Sequence, residues 1–268
     1  MKYNKELERR KFLKYIGATS IYIGAISCGS SNIFRKSYDD TISKEAWKNL
    51  ANKEAAFAYV SPNKKLPNVF IYGDSISIGY TTTVRKELEG KANVFRLHKN
   101  GQSSNKFIPF TEKMKSTMFQ PYLKGGWDFT WDVIHFNVGL HDLKYVKNGK
   151  LDLENGKQVN SIEKYKENLH EICKYLKKKY PKAILIFATT TAVPEGGADG
   201  RVAGDSVKYN KAALEVLANY PKIQVNDLYA FTKPHEKEWY IKPHNVHYNQ
   251  LGKTAQGKEV AKIIAQNL

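Results

Sequence analysis

The stretch Val69-Phe70-Ile71-Tyr72-Gly73-Asp74-Ser75 carries four apolar residues and then a polar Gly-Asp-Ser turn. The apolar residues predict a buried strand, and the helical pattern that follows them completes a strand-turn-helix unit. In open α/β sheets, ligands bind outside the carboxyl ends of the strands. Ser75 is therefore placed where a nucleophile is expected, although Asp74 and Ser75 are equally good helix N-cap residues.

Further apolar segments of this kind alternate with helical patterns along the chain. Strands are predicted at 69–72, 94–97, 133–138, 183–189 and 223–225, and helices at 161–180, 205–220 and 249–266. Short, nearly continuous apolar strands are typical of a parallel sheet covered on both faces. The order predicts a three-layer α/β/α, doubly wound, flavodoxin-like fold with a parallel five-stranded sheet. Segment 145–160 departs from it, because its two Asn-Gly pairs predict a small β excursion.

The first 45 residues are predicted to lie outside the folded domain. Residues 1–27 combine a basic start, including Arg9-Arg10, with a short apolar run, and they resemble an export signal of the twin-arginine type. Small residues before Cys28 and a Gly/Ser run after it resemble a bacterial lipoprotein box, which implies a lipidated Cys28; the alternative is an incidental cysteine. We therefore predict an exported protein anchored to a bacterial membrane, on its periplasmic or cell-surface side, with a tether at 28–45 and one domain at 46–268.

Charge and cysteine content narrow the functional classes. The 268 residues carry a formal net charge of +17, with lysines spread along the sequence. No recognised nucleic-acid-binding motif accompanies this charge, so we interpret it as a solvated basic surface and expect no nucleic-acid partner. The second cysteine, Cys173, lies in an amphipathic helical pattern and is predicted to be a small core residue. Cysteine catalysis and a cysteine metal cluster are not expected.

The loops after the predicted strands carry the groups that acyl transfer needs. Gly101 follows the second strand, Gly139-Leu140-His141-Asp142 follows the third, and His244-Asn245-Val246-His247 precedes the last helix. The predicted topology brings these loops to the carboxyl edge of the sheet. Together with Ser75 they offer a nucleophile, a histidine base and amide donors for an oxyanion.

These four blocks, in this order, resemble those of the SGNH/GDSL hydrolases. The resemblance covers about residues 66–268 and implies that Ser75 and His247 are catalytic. It also implies an oxyanion hole that includes the backbone N–H groups of Ser75 and Gly101, with no metal and no cofactor. We predict that Asp74 and Asp142 support the site as acceptors that shape the loops.

Two positions depart from the family pattern. His141 stands where the family has an oxyanion asparagine, and we predict that its ring N–H replaces the amide; the alternative is a histidine that only holds the loop. His244 stands where the family has the aspartate that orients the catalytic histidine. We therefore predict a Ser-His dyad in which either a backbone carbonyl or a carboxylate from elsewhere in the chain orients the histidine.

The resemblance implies a serine esterase, and surface-anchored members of the family commonly act on acylated carbohydrates. We therefore predict removal of O-acetyl groups from a polysaccharide or oligosaccharide. Arg201, in a Gly-rich loop, is either a ligand for an anionic part of the substrate or a solvated loop residue. The alternatives are a catalytically weak or inactive carbohydrate-binding lipoprotein and a cell-surface glycan acyltransferase. Five aromatic residues are candidates either for sugar stacking or for the core: Trp127, Trp131, Trp239, Tyr240 and Tyr248.

Overall fold

The computed structural model describes residues 40–120 and 127–268. The strands are β1 (Asn68–Tyr72), β2 (Asn93–Arg96), β3 (Val133–Phe136), β4 (Tyr145–Lys147), β5 (Lys150–Leu151), β6 (Lys157–Gln158), β7 (Ile184–Ala188) and β8 (Gln224–Asn226). The α-helices are α1 (Thr41–Leu50), α2 (Ser75–Glu87), α3 (Phe107–Met118), α4 (Ile162–Lys179), α5 (Asp205–Leu217), α6 (Leu228–Thr232), α7 (Glu236–Trp239) and α8 (Gln250–Ala265).

Five of these strands form one parallel sheet in the order β2-β1-β3-β7-β8. Strand β1 lies inside the sheet, where Val69 pairs with Val94 on one side and with Val133 on the other. Strand order reverses beside β1, because the chain moves first to β2 and then back across β1 to β3. The carboxyl end of β1 is thus the switch point at which such sheets bind ligands.

Helices cover both faces of the sheet, as predicted. Helix α2 packs against α8, and α4 packs against α5. Right-handed crossovers in opposite directions from β1 place these two pairs in opposite layers. The strand side chains are buried accordingly, and Val69, Phe70 and Ile71 are fully inaccessible. Burial of each such side chain stabilises the fold by about 1.5–3 kcal/mol. The predicted three-layer, doubly wound architecture is confirmed.

The helix N-termini follow from local side chains. Ser161 caps α4 by accepting from the Lys164 N–H at 3.3 Å. Asn249 caps α8 by accepting from the Gly252 N–H at 3.1 Å. Helix α5 differs, because its N-cap is Gly204 in a left-handed conformation (φ 87°) and Asp205 is its first helical residue. Glycine fits this position because the turn needs a positive φ, which glycine accepts most readily.

The predicted β excursion is a three-stranded antiparallel sheet, with the order β5-β4-β6. Asn148 and Gly149 both have positive φ, which is the requirement of the tight turn that joins β4 to β5. This small sheet follows the His141 loop directly and lies at the carboxyl edge of the main sheet.

The folded part begins before residue 46, because α1 starts at Thr41 and packs against α3. Residues 41–45 were predicted to belong to the tether, but they are helical. Residues 1–39, with the predicted export signal and Cys28, lie outside the described residues. Within 40–120 and 127–268, no helix is long and apolar enough to cross a membrane.

Candidate active site

The structure brings Ser75 and His247 together at the carboxyl end of β1. Ser75 is the first residue of α2, and His247 lies in the loop before α8. The Nε2 atom of His247 lies 2.9 Å from Oγ of Ser75. Helices α2 and α8 pack so closely that a β-carbon at Gly257 of α8 would clash with the Thr83 side chain of α2. This packing holds the pair together. This is the geometry that a serine nucleophile and its general base require.

Asn245 orients the ring of His247. Its Oδ1 atom lies 2.8 Å from Nδ1 of His247 and also accepts the backbone N–H of His247 at 2.8 Å. A backbone N–H can only donate, so the Asn245 atom must be the oxygen. An amide oxygen can only accept, so the ring proton lies on Nδ1 and Nε2 is free to accept the Ser75 hydroxyl proton. This is the tautomer that a base needs.

The predicted orienting group, a backbone carbonyl or a distant carboxylate, is therefore wrong. The group is a side-chain amide two residues before the histidine. It was missed because the family aspartate lies three residues before the histidine, at the position of His244. The Asn-x-His spacing is a usable signal, since asparagine side chains commonly accept from the backbone two residues ahead.

The ring of His244 faces the loop that follows β7. Its backbone has a positive φ of 55°, which histidine tolerates better than most residues. Its Nδ1 atom donates to the Gly197 carbonyl at 3.2 Å, and its ring touches Gly196. His244 thus supports the site indirectly, by joining the catalytic loop to the loop that follows β7.

His247 is neutral under ordinary conditions. Its pKa lies below the usual 6.5, chiefly because the half-buried ring loses solvation and secondly because of the Arg201 guanidinium. Asp199 and Asp74 oppose this shift. A neutral imidazole accepts protons, so the environment favours the basic form of His247.

Asp74 shapes the turn that carries Ser75. It is the N-cap of α2, and its Oδ1 atom accepts the Ile76 N–H at 2.9 Å. Burial raises the pKa of this carboxyl, and the Ile76 hydrogen bond opposes the shift. Among the described residues the Ser75 N–H has no acceptor, as expected for the first amide of a helix. This amide, at the positive end of α2, is available to an oxyanion.

Gly101 lies beside this turn, but its amide is occupied. The Gly101 N–H donates to the Gly73 carbonyl at 2.9 Å, and the Tyr72 hydroxyl donates to the Gly101 carbonyl at 2.7 Å. A β-carbon at Gly101 would lie 2.6 Å from the Tyr72 ring, so only glycine fits. The predicted oxyanion role of Gly101 is wrong for this structure, because its donor is used to fix the loop to the end of β1.

The ring of His141 lies close enough to His247 for His247 to lower the pKa of His141. Burial is the main cause of the shift, followed by Lys144 and Arg201, and together they bring the pKa of His141 to about 3. The ring is therefore neutral and carries one N–H. Its one hydrogen-bond partner among the described residues is the Lys144 ammonium, at 3.4 Å from Nδ1.

Asp142 ties two loops of the site together. Its carboxylate accepts from the Ser104 N–H at 3.0 Å, from the Ser104 hydroxyl at 2.5 Å and from the Asn160 amide at 2.6 Å. Burial raises the pKa of Asp142 to about 6, and these hydrogen bonds oppose the rise. This is the loop-shaping role that the sequence predicts for Asp142.

Two buried arginines, Arg96 and Arg201, donate hydrogen bonds to backbone carbonyls of the site loops. Arg96 was not predicted from the sequence. Arg96 is fully buried in β2 and donates to the Gly73 carbonyl at 3.2 Å and to the Ser77 hydroxyl at 2.5 Å. Arg201 is 3% exposed and donates to the Leu140 carbonyl at 2.7 Å. The alternative that Arg201 is a solvated loop residue is wrong, and an anion-binding role for it stays a prediction. The signal that could have found Arg96 is its position, because a charged residue is unusual inside a strand that is predicted to be buried on both faces.

The aromatic residues weighed as sugar platforms belong mainly to the core. Tyr240 is half-buried, and its hydroxyl donates to the Ala192 carbonyl at 2.9 Å. A stacking role is wrong for the four buried residues: Trp127, Trp131, Trp239 and Tyr248. Cys173 is buried as predicted, and burial raises the pKa of its thiol to about 12. No group of three or more metal-ligating side chains occurs in the described part of the chain.

Comparison with known proteins shows the fold. No protein-family model matches the chain, and no curated protein matches it. A lipase/acylhydrolase from Enterococcus faecalis is 16% identical, with 75% of this chain and 96% of that chain covered and a TM-score of 0.56. A protein described as a GDSL-like lipase from Parabacteroides merdae is 17% identical over 76% and 98%, with a TM-score of 0.55. A catalytic mutant of an acetylxylan esterase from Geobacillus stearothermophilus is 14% identical over 74% and 94%, with a TM-score of 0.53. The chain has the α/β fold of the SGNH/GDSL acylhydrolases and acetylxylan esterases, which is the predicted resemblance.

Proposed function

We propose that this protein is a serine esterase that hydrolyses O-acetyl groups on a carbohydrate. The observation that carries the proposal is the 2.9 Å contact of Ser75 Oγ with a histidine base whose tautomer Asn245 sets. The fold shared with acylhydrolases and acetylxylan esterases supports the class of reaction. The carbohydrate part of the proposal rests on that fold likeness and on the predicted surface anchor.

The proposed reaction has two steps. As Ser75 Oγ bonds to the ester carbonyl carbon, His247 Nε2 takes the hydroxyl proton. The bond from the carbonyl carbon to the sugar oxygen then breaks, and His247 gives the proton to that oxygen, which leaves as a hydroxyl. In the second step, His247 takes a proton from a water molecule as the water oxygen bonds to the acyl carbon. The bond from that carbon to Ser75 Oγ then breaks, His247 returns the proton to Oγ, and the free acid leaves.

Two donors are proposed for the oxyanion of the tetrahedral intermediate. One is the backbone N–H of Ser75, which stands at the N-terminus of α2 without an acceptor among the described residues. The other is the ring of His141 in place of the family asparagine. Loss of one such donor costs about 100-fold or more in kcat.

The test is release of free acetate from acetylated xylan and related polysaccharides, with p-nitrophenyl acetate as a general ester. We expect turnover by the wild type and loss of all turnover above background in Ser75→Ala. Ser116→Ala, which changes an exposed serine of α3, is the matched control and should retain full activity. A wild type that releases no acid from any of these esters contradicts the proposal.

A catalytically weak carbohydrate-binding protein is the second candidate. It is favoured by the neutral oxygen of Asn245, which stabilises the imidazolium less than a carboxylate does. Glycan binding that is equal in wild type and Ser75→Ala, without acid release, would support it. Transfer of acetyl to an added sugar acceptor, seen by product analysis, would instead indicate the acyltransferase alternative.

Export and lipid anchoring through Cys28 form a separate proposal, supported by the sequence before and after that cysteine. Expression of the full chain in a bacterium should place it in the membrane fraction. Cys28→Ser should release it from that fraction and abolish incorporation of a labelled fatty acid. Unchanged labelling in Cys28→Ser would contradict the anchor.

A further inference from the structure

The side chain of Lys144 contacts the ring of His141, which lies three residues earlier in the chain. Its ammonium nitrogen lies 3.4 Å from Nδ1 of His141, and the lysine side chain is itself half-buried at the start of the small β-sheet. An ammonium has three donors and no acceptor. The Nδ1 atom of His141 must therefore be the acceptor in this contact.

This contact sets the tautomer of His141. A neutral imidazole carries one proton, and with Nδ1 accepting, that proton lies on Nε2. Burial, Lys144, Arg201 and His247 all disfavour the doubly protonated ring, whose pKa is about 3. Nε2–H has no hydrogen-bond partner among the described residues, so it is free to donate to a bound molecule.

A histidine in this place needs such control, whereas an asparagine does not. The amide NH₂ of asparagine is always a donor, but either nitrogen of an imidazole can be the acceptor. An unprotonated Nε2 would present a lone pair to an oxyanion and repel it. Loss of the correct tautomer is therefore loss of the donor.

We propose that Lys144 is a positioning residue that holds His141 in its Nε2–H form, so that His141 serves as an oxyanion donor. This inference rests on the proposed esterase function. It assigns to Lys144 a role that acts only through His141 and not through direct contact with the substrate.

The test compares Lys144 variants in two backgrounds, with kcat measured on p-nitrophenyl acetate. In the wild-type background, Lys144→Arg keeps a donor, and its kcat should stay within about threefold of the wild type, whereas Lys144→Met should lower kcat about tenfold. Lys144→Glu should lower kcat about 100-fold, because its carboxylate accepts a hydrogen bond from Nδ1 and so moves the ring proton from Nε2 to Nδ1. In a His141→Asn background, all three should fall within about threefold of His141→Asn alone.

Lys147→Met, an exposed lysine of β4, is the matched control for a lost positive charge. Thermal unfolding of each variant checks that the fold is retained. Equal losses in the two backgrounds would overturn the proposal, because they would mean that Lys144 acts on the substrate field or on the fold.

A second readout does not depend on activity. Nitrogen-15 NMR of the labelled protein, with the His141 ring assigned by its absence in His141→Asn, should give a protonated Nε2 and an unprotonated Nδ1. Lys144→Glu should reverse the two. A wild-type ring protonated on Nδ1 overturns the inference, whereas the expected tautomer in a protein without esterase activity overturns the proposed function and the catalytic part of this inference.

Discussion

The side-chain oxygen of Asn245 accepts both the ring Nδ1–H and the backbone N–H of His247, each at 2.8 Å. The backbone bond fixes which amide atom faces the ring, and the ring bond fixes where the imidazole proton lies. A neutral side chain thus performs the orienting half of the task that a carboxylate performs in a Ser-His-Asp triad. The other half, stabilisation of the imidazolium charge, is weaker.

Asn245→Ala should lower kcat/KM for p-nitrophenyl acetate by about 100-fold, because the imidazole loses both its tautomer control and its position. The measurement is steady-state kinetics beside a thermal melt. Asn219→Ala, an exposed asparagine after α5, is the control and should change little. A loss smaller than about threefold in Asn245→Ala would mean that another group orients His247.

Asn245→Asp should keep the orientation and add a negative charge beside the ring. The carboxylate raises the pKa of His247, because it favours the protonated form. The acid limb of the kcat/KM profile should therefore move to higher pH than in the wild type. An unmoved limb would show that residue 245 does not contact the titrating base.

The wild-type pH profile should itself be shifted toward acid. His247 acts as a base when neutral, and burial together with Arg201 lowers its pKa below 6.5. As pH falls, the ring stays neutral until the lowered pKa is reached, and only then does the rate fall. The midpoint of the acid limb of kcat/KM should lie below 6.5, and a midpoint above that value would contradict the electrostatic description of the site.

Gly257→Leu should weaken the packing of α8 on α2 that holds Ser75 against His247. Its side chain would meet Thr83 and the Tyr80 carbonyl, and overpacking of this kind costs about 1–3 kcal/mol. Urea unfolding measures this cost, and kcat should fall as well. Lys258→Ala, at the exposed neighbouring position, should change stability by less than about 0.5 kcal/mol. Equal stability of the two variants would contradict the packing argument.

Arg96→Met should destabilise the protein by about 1.5–3 kcal/mol, because the Gly73 carbonyl and the Ser77 hydroxyl lose a buried charged donor and the Asp74 carboxyl loses one of its two nearby guanidinium groups. Chemical denaturation measures the loss. Lys91→Met, at an exposed position before β2, serves as the control. A variant as stable as the wild type would mean that the buried arginine is dispensable to the turn.

Much of the site was predictable because its signals are local. The apolar run before Gly73 defines β1 whatever surrounds it, and a polar turn between a strand and a helix puts Ser75 at the end of that strand. The predicted strand bounds lie within two residues of those observed, because apolar periodicity reports burial directly. The order of the loops then follows from right-handed crossovers.

Hydrogen-bond partners were not predictable in the same way. The Gly101 amide was expected to be free. Its loop instead returns to the end of β1, where this N–H donates to the Gly73 carbonyl. His244 holds the place of an orienting residue in sequence, but its left-handed backbone turns the ring toward Gly197. Such outcomes depend on loop conformations that distant contacts impose.

The sequence by itself determined the layers of this protein, the position of its nucleophile and the presence of a histidine before the last helix, because short-range patterns of apolar and polar residues encode them. Only the tertiary structure decided that the Gly101 amide donates to the Gly73 carbonyl and that the His244 ring bonds to the Gly197 carbonyl. The physical reason is that each donor and acceptor pairs with whatever the folded chain brings within about 3 Å of it.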